Sequence, residues 1–190
     1  MRTTTELRDD GDHPDLSGPR AAETFGWLFD RHADALHRYL TRRVGAATAD
    51  DLLSETFLIA LNRRRSYDPA RAAVRTWLYG IATNLVRQHV RAEIRALEMA
   101  ARAAGARVVV DANHDGRVAE RVDAQTAARR LATALAQLSP GDRDVLLLVS
   151  LAGLDNNEVA EALGIPAGTV RSRLHRVRKQ LRTLGENNSD

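Results

Sequence analysis

The stretch at residues 155–182, DNNEVAEALGIPAGTVRSRLHRVRKQLR, spells out two helices and the turn between them. Asp155 followed three residues later by Glu158 has the form of an acidic capping box, in which two side chains satisfy the free backbone N–H groups of a helix start. Val159, Ala160 and Leu163 then face inward over about two turns, Gly164 stops the helix and Ile165-Pro166 turns the chain. A second helix starts near Ala167, with Val170, Leu174, Val177 and Leu181 spaced four, three and four apart. At 100° per residue these four form one stripe. Ser172, His175, Arg176 and Lys179 therefore point away from the core, with Arg171 and Arg178 on one shoulder and Arg173 on the other. A short helix, a Gly-containing turn and a second helix with a cationic outer face make a helix-turn-helix, whose second helix suits the major groove of DNA.

Charge supports that reading more by its place than by its sum. The 190-residue chain carries a net charge of only +3, yet Ala167 to Arg182 holds Arg171, Arg173, Arg176, Arg178, Lys179 and Arg182 and no acid. Such a stripe is an electrostatic footprint for phosphates. An ordinary helical hairpin shares the apolar pattern but gains nothing from clustered cations, whereas arginine bonds guanine bidentately and pairs with phosphate.

Outward from this motif the periodicity is helical almost throughout, apart from a fragment of alternation near 108–110, and predicts an all-α chain. A helix pair over 21–44 places Phe25, Leu28, Phe29, Leu36, Tyr39 and Leu40 on one stripe, ended by Gly45. Thr48 with Asp51 resembles a capping box opening a helix that buries Leu52, Leu53, Phe57 and Leu61. Residues 63–71 break the period at the Asp68-Pro69 turn, and a long helix over 73–101 buries Val74, Trp77, Leu78, Ile81, Leu85 and Val90. A further stripe of Leu131, Leu135 and Leu138 stops at Ser139-Pro140, an N-cap with a first-turn proline, and the helix that follows carries Val145, Leu146, Val149 and Leu151. The expected organisation is two small helical domains, 21–101 and 126–184, joined by a flexible linker at 102–125, with disordered tails at 1–20 and 185–190.

Several function classes drop out. The chain has no cysteine, and its six histidines (13, 32, 37, 89, 114 and 175) show no metal-ligand spacing. There is no Gly-rich phosphate loop and no nucleophile paired with a base, so we expect no enzyme, no metal and no cofactor. No apolar run approaches the roughly 20 residues of a membrane helix, and residues 1–20 are polar and acidic, unlike a secretory signal. A cytoplasmic chain without membrane insertion is expected.

The run 163–176, LGIPAGTVRSRLHR, closely resembles region 4 of the extracytoplasmic-function sigma factors of bacterial RNA polymerase. DLLSETFLIAL at 51–61 and TWLYGIATNL at 76–85 resemble region 2 of the same family, in the same order and spacing. The resemblance covers about 25–93 and 126–184. It implies a protein that binds core polymerase through the β′ clamp and β flap, reads the minus-35 promoter element as duplex and the minus-10 element as a melted strand, and has an anti-sigma factor as partner. Carried onto this sequence, it assigns minus-35 contact to Thr169, Arg171, Ser172, Arg173, His175, Arg176 and Lys179. Minus-10 contact falls to Arg75, at the end of the loop 63–75, and to Asn84, which lines the pocket for a flipped-out base. Core polymerase falls to Asp51, Leu52, Glu55 and Phe57. Two departures stand out: Asp155-Asn156-Asn157 replaces a Ser-Tyr-Glu type sequence, and Gly80 replaces a commonly basic residue. The competing reading is a conventional helix-turn-helix regulator binding operators without polymerase, which shares the region 4 pattern but has no reason to contain 76–85.

Overall fold

The computed structural model describes residues 12–18, 20–103, 134–135 and 137–186. Six α-helices, no strand and one short 3-10 turn make up the described residues: α1 (Ala21–Val44), α2 (Ala46–Asn62), the 3-10 turn Arg64–Ser66, α3 (Val74–Ala103), α4 (Pro140–Ser150), α5 (Asn156–Leu163) and α6 (Ala167–Glu186). The all-α expectation holds.

The local chemistry of the C-terminal helices is as the sequence implies. Ser139 Oγ accepts from the Asp142 N–H with Pro140 in the first turn. At α5 the Asp155 carboxylate accepts from the Asn157 and Glu158 N–H groups while Glu158 reaches back to the Asp155 N–H, completing the capping box. Each such cap contributes about 1 kcal/mol. Gly164 closes α5 at φ 62°, a left-handed conformation that only glycine adopts without strain.

Three readings in the N-terminal half are corrected. Residues 21–44 form one uninterrupted helix rather than a pair, since nothing in the run breaks the i to i−4 ladder before Gly45. The Thr48–Asp51 box does not form: Gly45, at φ 81°, is the N-cap, so α2 opens at Ala46, ahead of the polar pair. The tail is not wholly disordered either. Residues 12–18 strap across the 63–73 loop, where the Asp12 carbonyl accepts from the Val74 N–H (2.7 Å) and His13 Nδ1 donates to the Pro69 carbonyl (2.7 Å). Leu16 is fully buried in the core, an apolar contact that a lone leucine in an acidic segment did not advertise. Residues 1–11, Leu131 and the expected linker from 104 onward lie outside the described residues.

α1, α2 and α3 pack together around Leu28, Leu36, Tyr39, Leu40, Leu52, Val74, Leu78 and Leu85. α4, α5 and α6 pack around Val145, Leu148, Val159, Val170 and Leu174. Leu148, rather than Leu146 or Val149, is the fully buried leucine of α4. The two groups are not separate: α3 lies directly against α5, and one apolar cluster runs through both. Gly80 makes this approach possible. A Cβ there would stand 2.7 Å from the Ala162 carbonyl oxygen on α5, closer than side chains tolerate.

Candidate nucleic-acid interface

α6 is anchored on its inner side by Val170, Leu174 and Val177, all buried, and it presents Arg171, Ser172, His175, Arg176, Arg178 and Lys179 to the outside. Thr169 is half-buried at the start of the helix, and its carbonyl accepts from Ser172 Oγ. Neither Arg171 nor Arg178 forms an ion pair with a described residue, so both side chains are available to an anion.

The face is not uniformly uncompensated, as the charge count suggested. Arg176 Nη1 donates to both carboxylate oxygens of Asp142 on α4, at 2.9 and 3.2 Å. Arg173 leans over Gly141 and donates to its carbonyl at 3.4 Å. Both lie on the α4 side of α6, where helical phase puts residues 173, 176 and 180 on one shoulder. Arg171, Ser172, His175, Arg178 and Lys179 are exposed along the rest of the outer side of the helix.

The residues assigned to the melted strand divide in two. Asn84 is exposed on α3, accepting a 3.4 Å hydrogen bond from Arg87. Arg75 is half-buried under α5: its Nη2 donates to the Gly153 carbonyl at 3.0 Å and lies 4.0 Å from the Glu158 carboxylate. The neighbouring loop is strongly basic, with Arg63, Arg65 and Arg71 exposed. Trp77 stacks on Tyr67 within the fold, centroids 5.1 Å apart, and is half-buried.

On α2 the assigned residues also split. Asp51 and Glu55 are exposed, one turn apart, whereas Leu52 and Phe57 are buried in the chain's own core. The outer surface also holds apolar residues: Leu58, which the stripe reading did not name, is 57% exposed, and Phe29 on α1 and Leu61, which it expected to be buried, are 46% and 37% exposed. Phe29 stacks on Phe57 at 4.9 Å and joins this patch to the core. The sequence-level signal for Leu58 was its position three residues from Glu55, on the polar side of the helix. For Phe29 and Leu61 the stripe assignment pointed the wrong way, because each sits at the stripe's edge.

Comparison with known proteins decides the family. Residues 28–96 match Sigma-70 region 2 and residues 128–181 match Sigma-70, region 4. The sigma factor SigC of Mycobacterium tuberculosis is 34% identical over 144 residues, 76% of this chain and 74% of its own. This chain belongs to the extracytoplasmic-function sigma factors of the sigma-70 family. BldN of Streptomyces coelicolor, also an extracytoplasmic-function sigma factor, is 33% identical over 165 residues, a match spanning 86% of this chain and 61% of BldN. The sigma factor RpoE of Bartonella quintana, solved with the anti-sigma factor NepR, has the same fold, with a TM-score of 0.63 over 87% of this chain and 99% of that one at 21% identity. α1 to α3 thus constitute sigma region 2, and α4 to α6 lie in region 4. Sigma factors are transcription initiation factors rather than catalytic enzymes. No helix of the described residues is long and apolar enough to cross a membrane.

Proposed function

We propose that this sigma factor directs promoter-specific initiation by contacting DNA at two places and polymerase at a third. The outer face of α6 reads the minus-35 duplex: Ser172 and His175 meet base edges, Arg171 reaches a base or a phosphate, and Arg178 and Lys179 hold phosphates. Arg176, braced on Asp142, presents the free side of its guanidinium to the same groove, and Thr169 and Arg173 border it. The basic loop 63–75 and the start of α3, with Arg75, hold the melted minus-10 strand, and Asn84 offers an amide to the edge of a flipped base. Core polymerase docks on α2 through Asp51 and Glu55 around the apolar patch of Leu58, Leu61 and Phe29. Leu52 and Phe57 act from beneath, by holding that face in shape. Region 4 meets the β flap. An anti-sigma factor, of the kind that holds RpoE in the Bartonella complex, is the regulating partner.

The observation that carries the reading is the outer side of α6 from Ala167 to Arg182, which carries no acid and is mounted by a capped helix and an αL glycine on a buried inner stripe. Transcription in vitro with core polymerase on genomic DNA tests it, because a sigma factor yields discrete start sites that core alone does not. A chain that binds duplex DNA but neither associates with core nor starts transcription is instead an operator-binding regulator.

A further inference from the structure

Residues 12–18 tie the loop between α2 and α3 to α1 and to the core. The Asp12 carbonyl accepts from the Val74 N–H at 2.7 Å, one of the free donors at the start of α3. The Tyr67 hydroxyl lies 3.4 Å from the same carbonyl and 3.1 Å from that of Ala72. His13 Nδ1 donates to the Pro69 carbonyl at 2.7 Å, inside the turn where the Asp68 carboxylate accepts from the Ala70 N–H at 2.9 Å. The Asp12 carboxylate sits 3.5 Å from Arg31 on α1, and Leu16, 2% exposed, fixes the segment in the core.

On the loop these bonds take backbone groups and the hydroxyl of a buried tyrosine, and they occupy none of its cations. Arg63 and Arg65 stay exposed, and Tyr67 keeps its ring on Trp77 at 5.1 Å. An irregular loop gives up backbone freedom when it grips a ligand, whereas a loop already fixed has given it up beforehand. A segment that fixes the loop's backbone and leaves its side chains open therefore raises affinity for whatever the loop binds. His13 is itself exposed, so its bond to Pro69 acts on the loop rather than on the core.

We propose that residues 12–18 are a positioning element for the melted minus-10 strand. The strap holds the 63–75 loop in its strand-gripping shape, and His13 is the residue that sets the turn at Pro69. This rests on the assignment of that loop to the melted strand. The minus-35 face lies on α6 and the polymerase-docking face on α2, and none of the strap's bonds goes to either helix. The strap therefore acts on the separated strand and not on duplex or core.

The test uses holoenzyme assembled from core polymerase and the full chain. The probe is a forked promoter fragment with a single-stranded minus-10 element, taken from the start sites mapped by transcription in vitro. A duplex ending upstream of that element reports α6 alone. His13→Ala should weaken fork binding about fivefold, the factor that one hydrogen bond of ordinary net strength carries, and leave duplex and core affinity unchanged. His13→Asn, whose amide donates from nearly the place of Nδ1, should recover most of the loss. Leu16→Asp, which unseats the whole strap, should lose at least as much as His13→Ala. Fork affinity equal to the parent's in both His13→Ala and Leu16→Asp overturns the proposal. So does a fall in core affinity that matches the fall on the fork, since the strap then only holds region 2 together. His13→Asn no better than His13→Ala overturns His13 as the positioning residue. Arg63→Ala with Arg65→Ala separates the two levels of the reading. Loss on the fork in that variant, with none in the strap variants, removes the strap's role alone. No loss in it removes the loop from the melted strand, and this proposal with it.

Discussion

Arg176 on α6 is tied from behind to Asp142 on α4, with Nη1 2.9 Å from a carboxylate oxygen; Asp142 is almost wholly buried, while the arginine is 61% exposed. The residue expected to read a base is therefore also the partner of a buried acid. Arg176→Ala leaves Asp142 desolvated without its cation and should cost the fold about 1–2 kcal/mol, less than a fully buried pair because one partner is exposed. It should also relax preference at one promoter position by about 1–3 kcal/mol. Urea unfolding and anisotropy on promoter and random duplexes measure the two effects separately. Equal loss on both duplexes would make Arg176 a brace and phosphate clamp rather than a reader.

Arg171 and Arg178 form no ion pair among the described residues, and the expected behaviour differs accordingly. Arg178→Ala should leave the unfolding midpoint unchanged, weaken all DNA sequences alike and lower the salt dependence of binding by about one unit of slope. A salt titration of duplex affinity decides it, since an arginine that touches no phosphate leaves the slope where it was.

On the polymerase side, Asp51→Arg with Glu55→Arg should reduce core affinity while circular dichroism stays constant, because both side chains are exposed and exposed charges seldom hold a fold. Leu58→Asp should do the same alone. Leu52→Ala is expected to lower stability by about 2–4 kcal/mol instead, as removal of a buried leucine does. Unfolding curves and a core-binding titration on the same proteins separate these classes.

Asn84→Ala should leave closed-complex binding intact and reduce open-complex formation, since a flipped base is available only after the strands separate. The side chain is exposed and its one described contact is a long bond from Arg87, which keeps its stronger partner Asp144, so the fold should not change. Permanganate footprints equal to those of the unaltered protein would remove Asn84 from the pocket.

His32 gives a pH signature. Buried in region 2 and close to Arg31, its imidazole is held down to a pKa of about 4, burial being the main cause, while Asp12 pulls weakly the other way. The unfolded chain takes up a proton near pH 6.5 that the folded chain refuses until about pH 4. The stabilisation is therefore complete above pH 6.5 and declines as pH falls toward 4, by up to about 1.4 kcal/mol per unit. Urea midpoints between pH 7 and 5 should fall for the parent chain and stay flatter for His32→Gln.

Local chemistry decided what the sequence could determine alone. The capping box of Asp155 and Glu158, the Gly164 stop, the proline after Ser139 and the three- and four-residue spacing from Val170 to Val177 act within one or two helical turns, so the all-α class, the helix-turn-helix and the exposed face of α6 were legible from residues in order. Features decided by distant contacts were not. Arg176 reads as a free cation until α4 brings Asp142, 34 residues earlier, against it. Leu16 reads as tail until the core receives it, and Gly80 reads as a lost charge until α5 lies across it. Arg43, Arg71, Arg75 and Arg87 read as an open basic face, and only the tertiary structure sets Asp144, Glu158 and Glu161 upon them. Helical periodicity tells which side of a helix is buried but carries no information about which helix covers it. Pairing across 57 to 101 residues, as in the Asp144 cluster, depends on how whole helices pack.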